Sequence, residues 1–159
     1  MSNFSTNDLS KFIKKAASST YAGGEEYEKV PERPGFFELV FTEGDWSYRD
    51  SYTGFYRSSG MEVVRFQDNI VWTTNYGGGM VEGKNELARE TFNFLKAAML
   101  NKPSDWDSFR GPNTFREGSF EYKYSQTGDI SLFHGEEEIF YQDKLIFFHR
   151  IIGGIVVGK

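Results

Sequence analysis

The chain has no cysteine and only two histidines, His134 and His149, among its 159 residues. The lack of cysteine excludes disulfide bonds, thiolate catalysis and cysteine-ligated zinc, and it fits a reducing compartment. Two imidazoles allow few ligand sets, so we predict no metal site and no cofactor. No apolar run approaches a membrane span, and the amino terminus lacks the pattern of a signal peptide, so we expect a cytoplasmic protein.

Positive charge is also scarce. The chain carries 18 Lys and Arg against 23 Asp and Glu, a net charge of −5. This balance argues against a surface that follows nucleic-acid phosphates or anionic lipids. We therefore expect neither nucleic acid nor membrane as a direct partner.

Aromatic residues are in excess, at 18% of the chain. Phe, Tyr and Trp favour pleated surfaces, so this excess predicts a large share of β-structure. The length and a hydrophobic fraction of 38% are typical of one globular domain over residues 1–159.

The sequence contains an internal repeat. Residues 41–84 align with residues 115–159, with one extra residue near His134, and 16 of the 44 positions are identical. Upstream, Phe12-Ile-Lys-Lys-Ala16 matches Phe94-Leu-Lys-Ala-Ala98. A fixed-period repeat indicates a duplicated structural unit, so we divide the domain into units of about 5–84 and 85–159.

Each unit reads as one helix followed by four strands. Apolar spacing predicts helices over 8–18, capped by Ser5 or Thr6, and over 85–100, stopped by Asn101-Lys-Pro103. Alternation and turn residues predict strands that begin near 36 and 46, then 62–66 and 70–76, and in the second unit 115–124, 130–133, 138–141 and 145–157. Predicted turns include 53–54, 58–60, 134–137 and a three-residue turn at 67–69 that recurs at 142–144.

These elements predict an α+β fold made of two helix-plus-meander units related by a pseudo-two-fold axis. A lone meander with one apolar face is marginal in water, so we expect the two helices to pack on antiparallel sheet. Whether the meanders form one continuous sheet or two packed sheets stays open.

Five motifs occur in a fixed order along the chain: Tyr21-Ala-Gly-Gly24, Glu43-Gly-Asp-Trp46 with Tyr48, Asp50-Ser-Tyr52, Phe109-Arg-Gly-Pro112 and Gly135-Glu-Glu-Glu-Ile-Phe-Tyr141. Their order resembles an uncharacterised bacterial family that is described only as a domain of unknown function. Members occur alone or behind helix-turn-helix domains in transcriptional regulators. The resemblance implies a bacterial origin and a sensing role, and it brings no catalytic residue.

One segment fits a phosphate-binding loop. Gly78-Gly-Met-Val-Glu-Gly-Lys84 has the G-x-x-x-x-G-K spacing between a predicted strand and a helix, although Asn85 replaces the Ser or Thr that would bind magnesium. The repeat carries the same glycines and lysine at 153–159, where no helix follows. We therefore interpret both as strand ends.

Paired carboxylates offer a second route to chemistry. Glu62 and Glu137 occupy matching positions and could act as acid and base, or bind a cation or amine, although edge-strand glutamates that discourage sheet association are the stronger interpretation. His134 lies in a predicted turn, typical of a solvated imidazole. His149 shares a strand face with Leu145, Phe147 and Ile151, as a core or cleft histidine does. No serine–histidine–aspartate order or nucleophile elbow stands out.

Tyrosines with polar partners on a concave sheet predict a small-molecule pocket. Thr74 and Asn75 of the first unit match His149 and Arg150 of the second, and such differences between the units are where we expect function. The predicted ligand-binding residues are Tyr48, Glu62, Asn75, Tyr76, Tyr122, Glu137, His149 and Arg150.

The leading hypothesis is a non-enzymatic domain that senses or binds a small organic ligand, linked to transcriptional regulation. A protein-interaction module, including a homodimer, is the second hypothesis. The third is a small hydrolase or isomerase that uses Glu62, Glu137 or His149. A deep pocket enclosing two of those side chains would favour the third, and all three on an open surface would exclude it.

Overall fold

A computed structural model describes residues 4–21, 23–24, 26–101 and 108–158. Within these ranges the fold is mixed α+β and mostly sheet. Its elements in chain order are α1 (Thr6–Ser19), β1 (Phe37–Glu43), β2 (Trp46–Gly54), β3 (Arg57–Phe66), β4 (Asn69–Met80), a 3₁₀ turn (Asn85–Leu87), α2 (Ala88–Leu100), β5 (Thr114–Glu117), β6 (Phe120–Asp129), β7 (Leu132–Tyr141) and β8 (Lys144–Ile155).

The eight strands form one antiparallel sheet in the order β1-β2-β3-β4-β8-β7-β6-β5. Two four-stranded meanders meet where β4 pairs with β8, with Tyr76 opposite Ile151. The two meanders therefore form one continuous sheet rather than two packed sheets, a choice that the sequence left open. Within the described residues, β1 and β5 are its edge strands.

One face of this sheet, which we call the inner face, carries most of the core. Residues that lie opposite each other in the register share a face, so the register places Tyr48 and Val64 together with Trp72, and Tyr122 together with Ile139. All five side chains are buried. Much of the remaining core comes from the two helices.

Helix α1 begins at Thr6, two residues before the predicted start, and has the predicted cap. Ser5 is its N-cap, and the Ser5 hydroxyl and Asp8 form a reciprocal capping box. The buried stripe of α1 contacts β1 and β2, where the ring of Phe12 stacks on Trp46 at 5.2 Å. In α2, Phe94 lies 5.2 Å from Phe120 on β6. Neither helix, within the described residues, has the length and apolar character needed to cross a bilayer.

The hairpin turns differ from the three-residue prediction. Gln67 and Asp68 have φ of 48° and 64°, and Gln142 and Asp143 have 49° and 61°. Two consecutive residues with positive φ are the signature of a two-residue type I′ turn, whose twist suits the flanking strands. Asn69 is therefore the first residue of β4, and its side-chain amide donates a hydrogen bond to the Gln67 carbonyl oxygen.

Other predicted boundaries were also wrong. Residues 53–54, 58–60 and 134–137 lie inside the strands β2, β3 and β7, whereas the predicted strand 115–124 is split between β5 and β6. The glycines at 60 and 135 make room for tyrosine rings, since a Cβ there would lie 2.2 Å from Tyr76 and 2.5 Å from Tyr124. A glycine that admits a ring and a glycine that makes a turn look the same in the sequence.

Two predictions concern residues outside the described ranges. The stop signal at Lys102-Pro103 lies there, as does Lys159 at the end of the second repeat. The glycines of the phosphate-loop pattern are described. Gly78 and Gly79 belong to β4, and Gly153 and Gly154 belong to β8. A Cβ on Gly78 would lie 2.1 Å from the Phe148 carbonyl oxygen, so close strand packing accounts for that glycine.

Candidate functional site

Five ionisable side chains meet on the inner face, and we call them the polar cluster: Asp50, Glu62, Arg110, Glu137 and His149. Each is at least 94% buried. Asp50 lies opposite Glu62 on β2 and β3, and Glu137 lies opposite His149 on β7 and β8. Buried charges are stable only when paired, so the cluster depends on its one permanent cation.

Arg110 is that cation, and it enters from the segment after α2. One guanidinium nitrogen lies 3.0 Å from Glu137 Oε2 and the other 3.7 Å from Glu62 Oε1. Its charge also lies 4.9 Å from the centre of the Tyr76 ring, a favourable cation–π distance. The preceding Phe109 packs against Trp72 and Phe133, which anchors the segment in the core.

Tyrosine hydroxyls complete the pairing of the carboxylates. Tyr122 donates a hydrogen bond to Glu137 at 2.8 Å, and Tyr76 donates to Asp50 at 2.8 Å. Tyr48 is likewise hydrogen-bonded to Glu62. A buried hydroxyl needs a partner, so these tyrosines fix the carboxylates in place.

The surroundings shift the pKa values of Glu137 and Asp50 in opposite directions. Burial alone would raise the pKa of Glu137, but the charge of Arg110 and the hydrogen bond with His149 hold that pKa well below its usual range. Burial and the neighbouring charge of Glu62 raise the pKa of Asp50 to about 7. Asp50 therefore gains or loses its proton near neutral pH, whereas Glu137 stays ionised.

His149 links the cluster to a serine on β3. Its Nδ1 lies 3.1 Å from Glu137 Oε2, and its Nε2 lies 3.0 Å from the Ser58 hydroxyl. Burial lowers the pKa of His149, although Glu137 opposes the shift, so the ring is neutral at pH 7. The arrangement is a continuous hydrogen-bonded chain from Glu137 to Ser58.

A cavity of about 560 Å³ lies above the cluster, between the helices and the inner face. This volume suits a small organic molecule. Its floor holds four polar-cluster residues and Ser58, and its walls are mainly aromatic and aliphatic. The lining residues are Ala17, Thr20, Tyr21, Tyr27, Phe37, Tyr48, Asp50, Tyr52, Gly54, Phe55, Ser58, Glu62, Tyr76, Phe92, Leu95, Lys96, Met99, Arg110 and His149.

A protein-family model matches residues 50–156, two thirds of the chain, and its description is a domain of unknown function (DUF5680). The chain belongs to this family. No curated protein and no solved structure matches it. The stretch that matches the DUF5680 model contains all five residues of the polar cluster and Ser58, and it leaves α1 outside.

Six of the eight predicted ligand-binding residues lie together on the inner face. Tyr48, Glu62, Tyr76 and His149 line the cavity, and Tyr122 and Glu137 support its floor. The alternative interpretation of the glutamates as edge-strand residues was wrong, because β3 and β7 are interior strands.

The other two predicted residues lie on the opposite face. Asn75 and Arg150 are exposed, and Arg150 pairs with Glu136 and Glu138 at 3.4 and 3.5 Å, away from the cavity. Each lies one residue from an inward-pointing neighbour, and successive strand residues point to opposite faces. His134 is also exposed, and it lies within β7 rather than in a turn.

Sequence reasoning missed Asp50, Ser58 and Arg110 as site residues. Asp50 and Arg110 belong to motifs that carry the family resemblance, and that was the signal available for them. Ser58 was assigned to a turn. Among the described residues, no group of three or more His, Asp and Glu side chains has the geometry to hold a metal ion.

Proposed function

We propose that this DUF5680 domain binds a small organic molecule in the 560 Å³ cavity. The observation that carries the proposal is the convergence of buried polar groups at the floor of a largely apolar, aromatic-walled cavity. Such a combination is typical of small-molecule sites, since apolar walls supply affinity and a few fixed polar groups supply orientation.

The floor favours a ligand with a hydrogen-bond donor. Glu62 and Asp50 both line the cavity. Asp50 accepts one hydrogen bond from the described residues, from Tyr76 to Oδ1, so Oδ2 is the acceptor that a ligand can use. An amine suits this site best, because its charge would also favour the ionised form of Asp50.

The walls favour an aromatic or aliphatic body. Tyr21, Tyr52 and Phe92 are half-buried and line the cavity, and Tyr52 is hydrogen-bonded to Tyr27 at 2.5 Å. The Lys96 ammonium lies 5.1 Å from the centre of the Tyr21 ring, a favourable cation–π distance. Together these features support an arylalkylamine as the ligand class.

A thermal-shift assay with three indoles tests the proposal. Tryptamine, tryptophol and indole-3-acetate share a ring and differ in the polar group, so we expect stabilisation in the order amine, alcohol, acid. Ala17→Trp would fill the cavity without removing a polar group and should abolish the shift. Arg150→Ala, on the other face, should keep it.

The outcomes are separable. If no indole and no compound of a wider metabolite panel shifts the melting temperature, or if Ala17→Trp leaves a shift intact, the cavity is not the ligand site. A concentration-dependent dimer without any ligand effect would instead favour the protein-interaction hypothesis.

We also propose that the domain arose by internal duplication. Three features support it: both meanders carry a type I′ turn at the matched Gln-Asp pair, both have a register shift at matched positions (Val64 and Ile139), and the matched residues Tyr76 and Ile151 lie opposite each other at the centre of the sheet.

The family resemblance and the cysteine-free composition support the further proposal of a bacterial, cytoplasmic sensing domain of transcriptional regulators. A fusion of this domain to a helix-turn-helix DNA-binding domain tests this proposal, because the ligand should then change the affinity of the fusion protein for DNA.

A hydrolase is the second candidate function. The cavity encloses Glu62 and His149, which is the condition under which the sequence favoured this alternative.

A further inference from the structure

Three side chains on the inner face form a line that ends in the cavity. Ser58 Oγ lies 3.0 Å from His149 Nε2, and His149 Nδ1 lies 3.1 Å from Glu137 Oε2. An ionised carboxylate only accepts hydrogen bonds, so the proton of the neutral imidazole resides on Nδ1. Nε2 is then an acceptor, and the Ser58 hydroxyl donates to it.

This is the arrangement that activates a serine in hydrolases, where the base and its orienting carboxylate are recognised by geometry rather than by sequence order. We propose that Ser58 is a nucleophile, with His149 as its general base and Glu137 as a positioning residue, and that the domain hydrolyses small carboxylic esters. The proposal rests on the proposed function, because the substrate occupies the same cavity.

Ser58 is open to a substrate. The residues paired with it on the neighbouring strands are Gly54 and Gly78, so neither paired residue has a side chain that covers the serine. Ser58 is half-buried and lines the cavity, whereas His149 and Glu137 are buried behind it. A serine held only to satisfy a core histidine needs no such opening.

The cavity is also lined by cationic side chains, which favour the negatively charged intermediate of ester hydrolysis. A tetrahedral intermediate places negative charge on the former carbonyl oxygen. Arg110 and Lys96 are the cationic side chains among the described residues that line the cavity. Arg110 lies 3.5 Å from His149 Nδ1, on the Glu137 side of the ring, and Lys96 is the half-buried cation of the cavity wall.

The reaction balances with water as the only co-reactant. Ser58 Oγ bonds to the acyl carbon while His149 Nε2 takes the hydroxyl proton. The bond from that carbon to the alcohol oxygen breaks, and His149 returns the proton to the departing alcohol. Water then attacks the acyl carbon and gives a proton to His149, the bond to Ser58 breaks, and the serine regains its proton as the carboxylic acid leaves.

Two measurements on the full chain test the proposal. A fluorophosphonate probe should form a covalent Ser58 adduct with loss of fluoride, located by peptide mass spectrometry. Hydrolysis of p-nitrophenyl butyrate should show a burst, and Ser58→Ala should lower the rate at least tenfold. Ser59→Ala is the matched control, because Ser59 is the exposed neighbour on the same strand and should change neither result.

Glu137 needs a readout that a structural role would not move. Glu137→Gln should lower kcat with little change in KM, and Glu137→Asp should recover part of kcat. If Ser58 is not labelled, or if wild type and Ser58→Ala hydrolyse the ester equally, the proposal is overturned even where tryptamine still stabilises the domain. If tryptamine has no effect but Ser58 reacts, the binding proposal fails in its ligand class and the serine chemistry stands.

Discussion

Within the polar cluster, Arg110 is the residue whose substitution should lower the free energy of unfolding most. Its guanidinium lies between Glu62 and Glu137, and its side chain is 7% exposed. Arg110→Met keeps an unbranched apolar chain and removes the charge, which leaves Glu137 buried without its cation. Breaking a buried ion pair in this way costs about 3–5 kcal/mol. We expect the free energy of unfolding to fall by that amount at pH 8.

The effect should shrink in acid. In the wild type the pKa of Glu137 lies below its unfolded value, so its pairing stabilises the fold above about pH 4.3 and is lost as the pH falls through the folded pKa. Without Arg110, burial dominates and raises the pKa of Glu137, so the variant is stabilised by protonation. The difference between the two proteins should therefore be larger at pH 8 than at pH 5.

Urea unfolding followed by tryptophan fluorescence measures both points. Arg116→Met is the matched control, because the Arg116 side chain is 73% exposed in its pair with Glu121 and should contribute less than about 1 kcal/mol. Arg110→Met combined with Glu137→Gln should recover part of the loss. A loss below about 1 kcal/mol for Arg110→Met, or an equal loss at both pH values, would refute the assigned electrostatics.

Three further results are expected from the same cluster. The pKa of Asp50 is raised to about 7, so the wild-type free energy of unfolding falls as the pH rises from about 4 to 7. Asp50→Asn should remove that fall in urea titrations. Relative to the wild type, its stability should therefore rise with pH, whereas that of Arg110→Met should fall. Tryptamine should bind more tightly at pH 8 than at pH 6 by calorimetry and release a proton from Asp50, and a flat profile would contradict this. Gly60→Ala should destabilise the domain in thermal unfolding because its Cβ meets the Tyr76 ring at 2.2 Å, whereas Gly77→Ala, whose nearest contact is 3.7 Å, should be nearly neutral.

The sequence predicted the fold where the signal is local. The stripe Leu9, Phe12 and Ile13 and the Ser5 cap were confirmed in α1, because spacing and capping act within a few residues. Strand pairing depends on distant residues. Residues 134–137 look like a turn until one sees that Gly135 faces Tyr124 and that Glu137 has Arg110 as its partner.

The site was predictable only in part for the same reason. Tyr48, Tyr76 and Tyr122 could be chosen from the sequence because a strand tyrosine needs a partner for its hydroxyl. Arg110 lies in an irregular segment, and periodicity does not apply there. Its position between two carboxylates follows from the packing of Phe109 against Trp72, a contact between residues far apart in the chain.

The matched positions of the repeat also show that contacts between residues far apart in the chain determine the site. Thr74 and His149 match, and so do Asn75 and Arg150, but only the first pair lies on the inner face. Thr74 donates its hydroxyl to the Ile152 carbonyl oxygen, whereas His149 reaches both Glu137 and Ser58. His149 belongs to the second unit and Ser58 to the first, so the proposed base and nucleophile come from different units. Restoring symmetry with His149→Thr should therefore abolish labelling of Ser58 by the fluorophosphonate, while Asn75→Arg on the outer face should leave it unchanged. If His149→Thr folds and Ser58 still reacts at the wild-type rate, the histidine is a core residue and no base.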